Sequence, residues 1–283
     1  MVFYLLTGGT GYLASNLIKH FTSEKVFILD RTVKLDRITI QKENFLEKPL
    51  ELINKDDLPS DLEAVIHTSY CKNINTEINF FELLKQINPN IRIIFFSSSA
   101  VYGDLFDTEK KNFKTSDTPS PINYYGKYKL SLENFIKNTF HNFQILRISN
   151  PYGKEFEIKG VYQLFKNQIK KSLETNYQAS FTINYPRAQT MFRDMIFIDD
   201  AIKQIVSILQ NKESGIYNIS SGKPLYLEQI AYLALNDFCQ ERYLKTSKFK
   251  LNFVYRDKPE GEIIQSVLEP IPYELYLPSS YYN

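Results

Sequence analysis

A glycine-rich turn set between an apolar run and a helical pattern constrains this chain more than any other feature. Thr7-Gly8-Gly9-Thr10-Gly11-Tyr12-Leu13-Ala14 follows the run VFYLL at residues 2–6 and leads into SNLIKHF at 15–21. Strand, turn and helix in that order open a doubly wound α/β sheet. Glycine at 8 and 11 lets the turn tighten and the backbone approach a pyrophosphate, whose charge meets N–H groups at the helix start. Gly9, Thr10, Tyr12 and Leu13 complete this cradle, and Ala14 lets the helix lie close to the sheet. A glycine-rich loop alone is weak evidence. The context strengthens it, because Asp30 ends the second apolar run, VFILD. A carboxylate there accepts hydrogen bonds from both adenosine ribose hydroxyls and repels a 2'-phosphate, which favours NAD over NADP. Arg31 follows it and could pair with a 2'-phosphate, so NADP stays open.

The first half continues as alternating runs and helical patterns. AVIHT at 64–68, RIIFFSS at 92–98 and FQILRIS at 143–149 read as buried strands, with helices over 79–87 and 130–140 between them. Near-continuous apolar strands alternating with helices imply right-handed βαβ units and a parallel sheet covered on both faces. After Asn150 the alternation loosens, with helices expected over 161–172 and 200–209. The expected architecture is a Rossmann-type domain at 1–155, to which 187–222 returns, and a smaller substrate-binding lobe at 156–186 and 223–283. Three prolines after residue 269 predict a loosely structured end without a final helix.

Composition narrows the partner. Lys and Arg total 34 against 32 Asp and Glu, interspersed, so neither nucleic acid nor a membrane surface is indicated. The start is too short an apolar run for a signal peptide or span, and a cytoplasmic enzyme with a small-molecule partner is expected. Cys71 and Cys239 match no metal or redox spacing and read as reduced, structural thiols. No metal site is expected; His67 reads as structural, and His20 and His141 as helix-surface residues.

The chemistry-bearing segments are FSSSAVYG at 96–103 and PINYYGKYK at 121–129. Tyr125 and Lys129, four apart on a helix, project from one face, and an ammonium beside a phenol favours the phenolate. Serines at a strand end often only satisfy loop amides, and in a chain with 20 tyrosines a Tyr/Lys pair alone means little. Taken with TGGTGYLA, ILD, DLEAVIHTS, LRISNPYG at 146–153 and RDMIFIDD at 193–200, however, the chain resembles the extended short-chain dehydrogenases, the NAD-dependent nucleotide-sugar epimerase/dehydratase family, over nearly its whole length.

That resemblance implies the roles that follow. Tyr125 is the general acid/base, Lys129 binds the nicotinamide ribose and Ser98 hydrogen-bonds the reacting sugar oxygen, with Ser97 and Ser99 as lesser claimants. Thr68 and Ser97 border the cofactor, and Asn44 stands where an acid usually contacts adenine. Asn150 and Ser99 touch the substrate, and Arg193 with Arg256 or Lys258 holds the diphosphate. Independently of the resemblance, Asp199 and Asp200 read as an N-cap for the next helix and not as catalytic carboxylates, since acids are favoured at helix starts. Dimerisation through the helix carrying Tyr125 is expected.

Family members that eliminate water carry acids after the catalytic hydroxyl, whereas this chain has Ser99 and Ala100. Hydride chemistry at the sugar C4 is therefore expected, as a C4 epimerase or, alternatively, a nucleotide-4-keto-sugar 4-reductase. A non-catalytic NAD(P)-binding protein and an enzyme acting on a small ketone are the remaining readings. Departures from the family are a shortened loop after His67 and the segment after Gly261-Glu262, which lacks the usual aspartate and closing helix.

Overall fold

The structure is a computed structural model that describes residues 3–21, 26–32, 44–106, 108–153 and 160–272. Seven strands form one sheet: β1 (Tyr4–Thr7), β2 (Val26–Asp30), β3 (Phe45–Glu47), β4 (Ala64–His67), β5 (Arg92–Ser98), β6 (Phe143–Ile148) and a later strand at Gly215–Ile219. Their order is β3-β2-β1-β4-β5-β6 and then Gly215–Ile219, and every neighbouring pair is parallel. The expected Rossmann-type sheet is thus present.

Each face is sealed by a separate core. Helix α1 (Tyr12–Leu17) and a helix at Ile198–Asn211 bury Leu17, Ile202 and Ile205 against Leu6, Ile28 and Ile66. On the other face α2 (Ile74–Ile87) and α3 (Tyr124–Thr139) bury Phe81, Leu84, Leu132 and Ile136 against Leu5, Val65, Ile93 and Phe95. Adjacent residues of one strand alternate between these cores, which is why β4 is apolar over Ala64 to Ile66 and β5 over Ile93 to Phe96. Asn73 and Asn123 start α2 and α3 by accepting hydrogen bonds from first-turn amides.

Beyond Asn150 the chain builds β7 (Asn150–Tyr152), α4 (Val161–Ser172), β8 (Gln178–Ile183), β9 (Phe192–Phe197), α5 (Ile198–Asn211), β10 (Gly215–Ile219), β11 (Pro224–Tyr226), α6 (Leu227–Arg242), β12 (Lys250–Tyr255) and β13 (Gln265–Ser266). Helices α4 and α6 and strands β8 and β12 share a third core, with Phe165, Phe181, Ile230 and Phe238 fully buried. Strand β9 pairs with β7, β11 and β13 in a small sheet, while α5 and β10 lie on the large one. Residues 187–222 are therefore shared between the two layers.

Two details differ from the sequence expectation. Helix α5 begins at Ile198 with Phe197 as its N-cap, so Asp199 and Asp200 occupy the first turn, where they complement the helix dipole without capping it. His141 lies in the loop between α3 and β6. The end of the chain from residue 273 lies outside the described residues. No helix among them is long and apolar enough to cross a membrane, and no group of three or more His, Cys, Asp or Glu is placed to hold a metal.

Candidate active site

The strand order reverses between β1 and β4, and a continuous groove crosses the carboxyl ends of the strands there, the usual place for a ligand in such a sheet. Its first half, about 570 Å³, is lined by Gly8, Thr10, Gly11, Asp30, Arg31, Thr32, Thr68 and the segment 48–51. Gly8 has φ +68°, and a Cβ there would meet Thr68 Oγ1 at 2.9 Å. Only glycine lets the turn pass that close to the end of β4. Gly11 precedes α1 with no side-chain cap, and Ala14 is buried beneath it. Asp30 Oδ2 accepts hydrogen bonds from Thr10 N at 2.9 Å and Thr10 Oγ1 at 2.6 Å, so the acid also fastens the turn. These features fit the adenosine and pyrophosphate of a dinucleotide.

Asn44 is not part of this half. Ile28 pairs with Phe45 and Asp30 with Glu47, so Asn44 stands roughly 10 Å behind the cleft end of β3. Lys48 to Glu51, just past that strand, border the groove instead.

The second half, about 480 Å³, shares Gly8, Gly11, Thr68 and Tyr70 with the first and is lined further by Tyr12, Leu13, Ser97, Ser98, Tyr125, Lys129, Ser149, Asn150, Tyr162 and Met195, among others. Ser98 ends β5 and accepts a hydrogen bond from Ala100 N at 3.2 Å. Helix α3 passes so near the turn after β5 that a Cβ on Gly126 would lie 2.3 Å from Ala100 O. That close approach puts Tyr125 and Ser98 on the same wall of the cleft. Lys129, 2% exposed, donates to Phe96 O at 2.9 Å and lies 6.0 Å from the centre of the Tyr125 ring. Beneath them Arg147 and Glu133 form a buried ion pair at 2.7 Å that joins β6 to α3.

Electrostatics here differ from the expectation of a ready phenolate. Burial pushes Tyr125 up to about 12; the nearby Ser98 hydroxyl opposes this, and Tyr70 and Glu77 add to it. Although Tyr125 as a residue is 38% exposed, its phenol end faces into the cleft. Burial also brings Lys129 down to about 8, against the pull of Glu77 and Glu133. The pair is therefore a neutral phenol above a weakened cation.

Other expected residues are placed differently. Ser97 turns its hydroxyl to Glu133 and reaches the cleft only as part of its wall. Ser99 enters the short 3-10 turn after β5, is 8% exposed and does not line the cleft. Asn150 does line it, with its amide donating to Asp194 O at 3.0 Å. Arg193 is withdrawn from the cleft: its guanidinium donates to the carbonyls of Phe192, Ile264 and Ile263 and to Glu262 at 3.1 Å. Its role in the structure is to clamp β9 to the segment before β13. Arg256 and Lys258 are exposed beyond the end of β12 and line neither half.

Three residues of the site were not singled out in the sequence. Tyr70 borders both halves and meets the Tyr125 and Tyr128 rings edge-on at 5.2 and 5.0 Å. Ser149 lines the second half at 8% exposure, and its buried hydroxyl has no hydrogen-bond partner in the structure. Glu77 lies fully buried under the floor. Its signal was an acid inside the apolar stripe of α2, between Ile74 and Phe80.

Residues 4–220 match the sequence model of the NAD dependent epimerase/dehydratase family. The chain belongs to that family. Membership carries NAD as the cofactor, which the groove from Asp30 to Lys129 fits. The chain is 26% identical over 311 residues to the ADP-L-glycero-D-manno-heptose-6-epimerase of Brachyspira hyodysenteriae (strain ATCC 49526 / WA1), covering 90% of this chain and 92% of that one. Among solved structures it is similar to the dTDP-glucose 4,6-dehydratase DesIV of Streptomyces venezuelae, with TM-score 0.74, 17% identity, and 99% and 92% of the two chains covered. It is also similar to the UDP-N-acetylglucosamine 4-epimerase of Methanobrevibacter ruminantium M1, with TM-score 0.72, 20% identity, and 95% and 90% covered. These two likenesses concern the fold.

Proposed function

We propose that this family member moves a hydride between NAD and C4 of a nucleotide-activated sugar, as a C4 epimerase. The observation that carries this reading is the makeup of the second half of the groove. Among the described residues it presents Ser98, Tyr125 and Lys129 and contains no carboxylate. Elimination of water needs a second acid, whereas hydride transfer needs only one group to exchange the hydroxyl proton. Tyr125 is that group. Ser98 orients the sugar oxygen, and Asn150 and Ser149 face the same space. The nicotinamide, when bound, supplies the hydride acceptor and a positive charge. The chain's own task is to hold Tyr125 and Lys129 in register with the reacting carbon.

Asp30 supports retained NAD, which an epimerase needs because the same cofactor must return the hydride. The alternative, a 4-ketoreductase, uses the same residues once and then exchanges its cofactor. Because a relative of nearly the same length is named for a 6-epimerase of an ADP-heptose, the substrate panel must include ADP-sugars. The test is the mass and spectrum of the cofactor released from denatured protein, followed by incubation of intact protein with UDP-, GDP-, dTDP- and ADP-sugars. Retained NAD with conversion of one sugar into its epimer is the expected result. A protein that consumes NAD(P)H with a 4-keto sugar is a reductase instead, and one that retains NAD but converts no sugar refutes the assignment.

A further inference from the structure

Beneath the cleft floor lies a cluster of buried polar groups to which the chemistry above assigns no part. Glu77 on α2 and His67 at the end of β4 are both 0% exposed, with Glu77 Oε2 and His67 Nε2 3.4 Å apart. His67 Nδ1 lies 2.9 Å from Thr7 Oγ1, directly before the glycine turn. Glu77 Oε1 accepts from Cys71 N at 3.0 Å and from Cys71 Sγ at 3.4 Å, and that sulfur lies 3.7 Å from Tyr128 OH. The His67 ring stacks on Phe95 with centroids 6.0 Å apart, and Lys129 Nζ sits 4.6 Å from the centre of the same ring. A carboxylate, an imidazole and an ammonium thus share one buried compartment.

We propose that Glu77 is a positioning residue, the buried counter-ion that keeps Lys129 charged below the nicotinamide end of the groove. The proposal rests on the reading of Lys129 as the cation of the site. A lone buried ammonium gives up its proton unless an anion stands near it. Two acids act on Lys129, Glu77 foremost and Glu133 second, and Cys71 adds a lesser effect. Glu133 is already matched by Arg147 through three hydrogen bonds from the guanidinium. Glu77 has no arginine. Burial alone would raise its carboxyl, yet His67 first and then Lys129 and the Cys71 amide bring it down to about 2. The groups facing this pair are His67 from β4, Tyr70 and Cys71 from the loop after it, and Tyr125, Tyr128 and Glu133 from α3.

The test is direct titration of Lys129 by NMR in protein carrying lysine labelled with carbon-13 at the ε position, the signal being assigned by its loss in Lys129→Arg. The wild-type signal is expected to titrate near about 8. In Glu77→Gln the midpoint is expected to move down by about one pH unit or more, as loss of a close opposite charge requires. An unchanged midpoint overturns the proposal. If Glu77→Gln does not fold, the double variant Glu77→Gln/Lys129→Met is expected to regain a cooperative thermal melt, because the stranded charge is then gone. A double variant no more stable than the single one overturns the pairing. Both readouts are free of substrate, so failure of the sugar assignment, which the sugar panel reads, stays separate.

Discussion

At Asp30 one carboxylate has two tasks. Its Oδ2 fastens Thr10 by two hydrogen bonds, and its position at the end of β2 faces the ribose end of the groove. Asp30→Ala therefore loosens the turn for any dinucleotide, but removes charge-assisted bonds to the ribose only where NAD is bound. Such bonds are worth about 1.5–3 kcal/mol each, so NAD affinity is expected to fall about tenfold or more relative to NADP. Fluorescence titration with the two reduced cofactors measures this. Equal losses would show that Asp30 does not read the ribose. Tyr125 makes a complementary point: spacing puts it on one helix face with Lys129, but burial, which spacing does not reveal, pushes its phenol up.

Elements explain what the sequence showed and what it hid. Strands β2 and β5 and helix α4 have the bounds expected of them because continuous apolar runs and helical periodicity are local signals. Strand β8 also carries one, an exposed-buried alternation over Gln178–Ile183, although the sequence reading passed over it. The pairs of β9 with β7, β11 and β13 are short and joined across long stretches of chain, so no local pattern announces them. Arg193 was misplaced for this reason. Its motif pointed to the diphosphate, whereas the strand pairing turns the guanidinium onto three carbonyls and Glu262. Arg193→Ala is accordingly expected to lower stability by about 2–3 kcal/mol, as loss of several charged hydrogen bonds requires. The urea midpoint measures it. A variant with wild-type stability and only a raised KM for nucleotide sugar would restore the diphosphate role.

For the whole molecule, the groove formed by the described residues faces both layers, with its first half over the large sheet and its second half reaching Tyr162 and Met195 of the second layer. The outward side of α3 is Tyr124, Lys127, Ser131, Asn134 and Lys137, and that of α2 is Asn79, Glu82 and Lys85. The proposed homodimer through α3 would cover part of this surface, including Lys127 and Lys137, so its association is expected to be salt-sensitive. Light scattering at low micromolar concentration is expected to give twice the chain mass of 33.2 kDa; a mass near that of the single chain would reject the dimer. The central claim is that this groove passes a hydride between bound NAD and a nucleotide sugar under the control of Tyr125. Its most direct test is the rate at which the sugars of the panel are converted by wild-type protein and by Tyr125→Phe, each loaded with NAD, with the near-ultraviolet absorbance of reduced nicotinamide followed for the transient hydride transfer. Turnover of at least one sugar by wild type, with loss of about a hundredfold or more in a variant that still binds NAD, is the predicted result. Equal turnover by both proteins would contradict it.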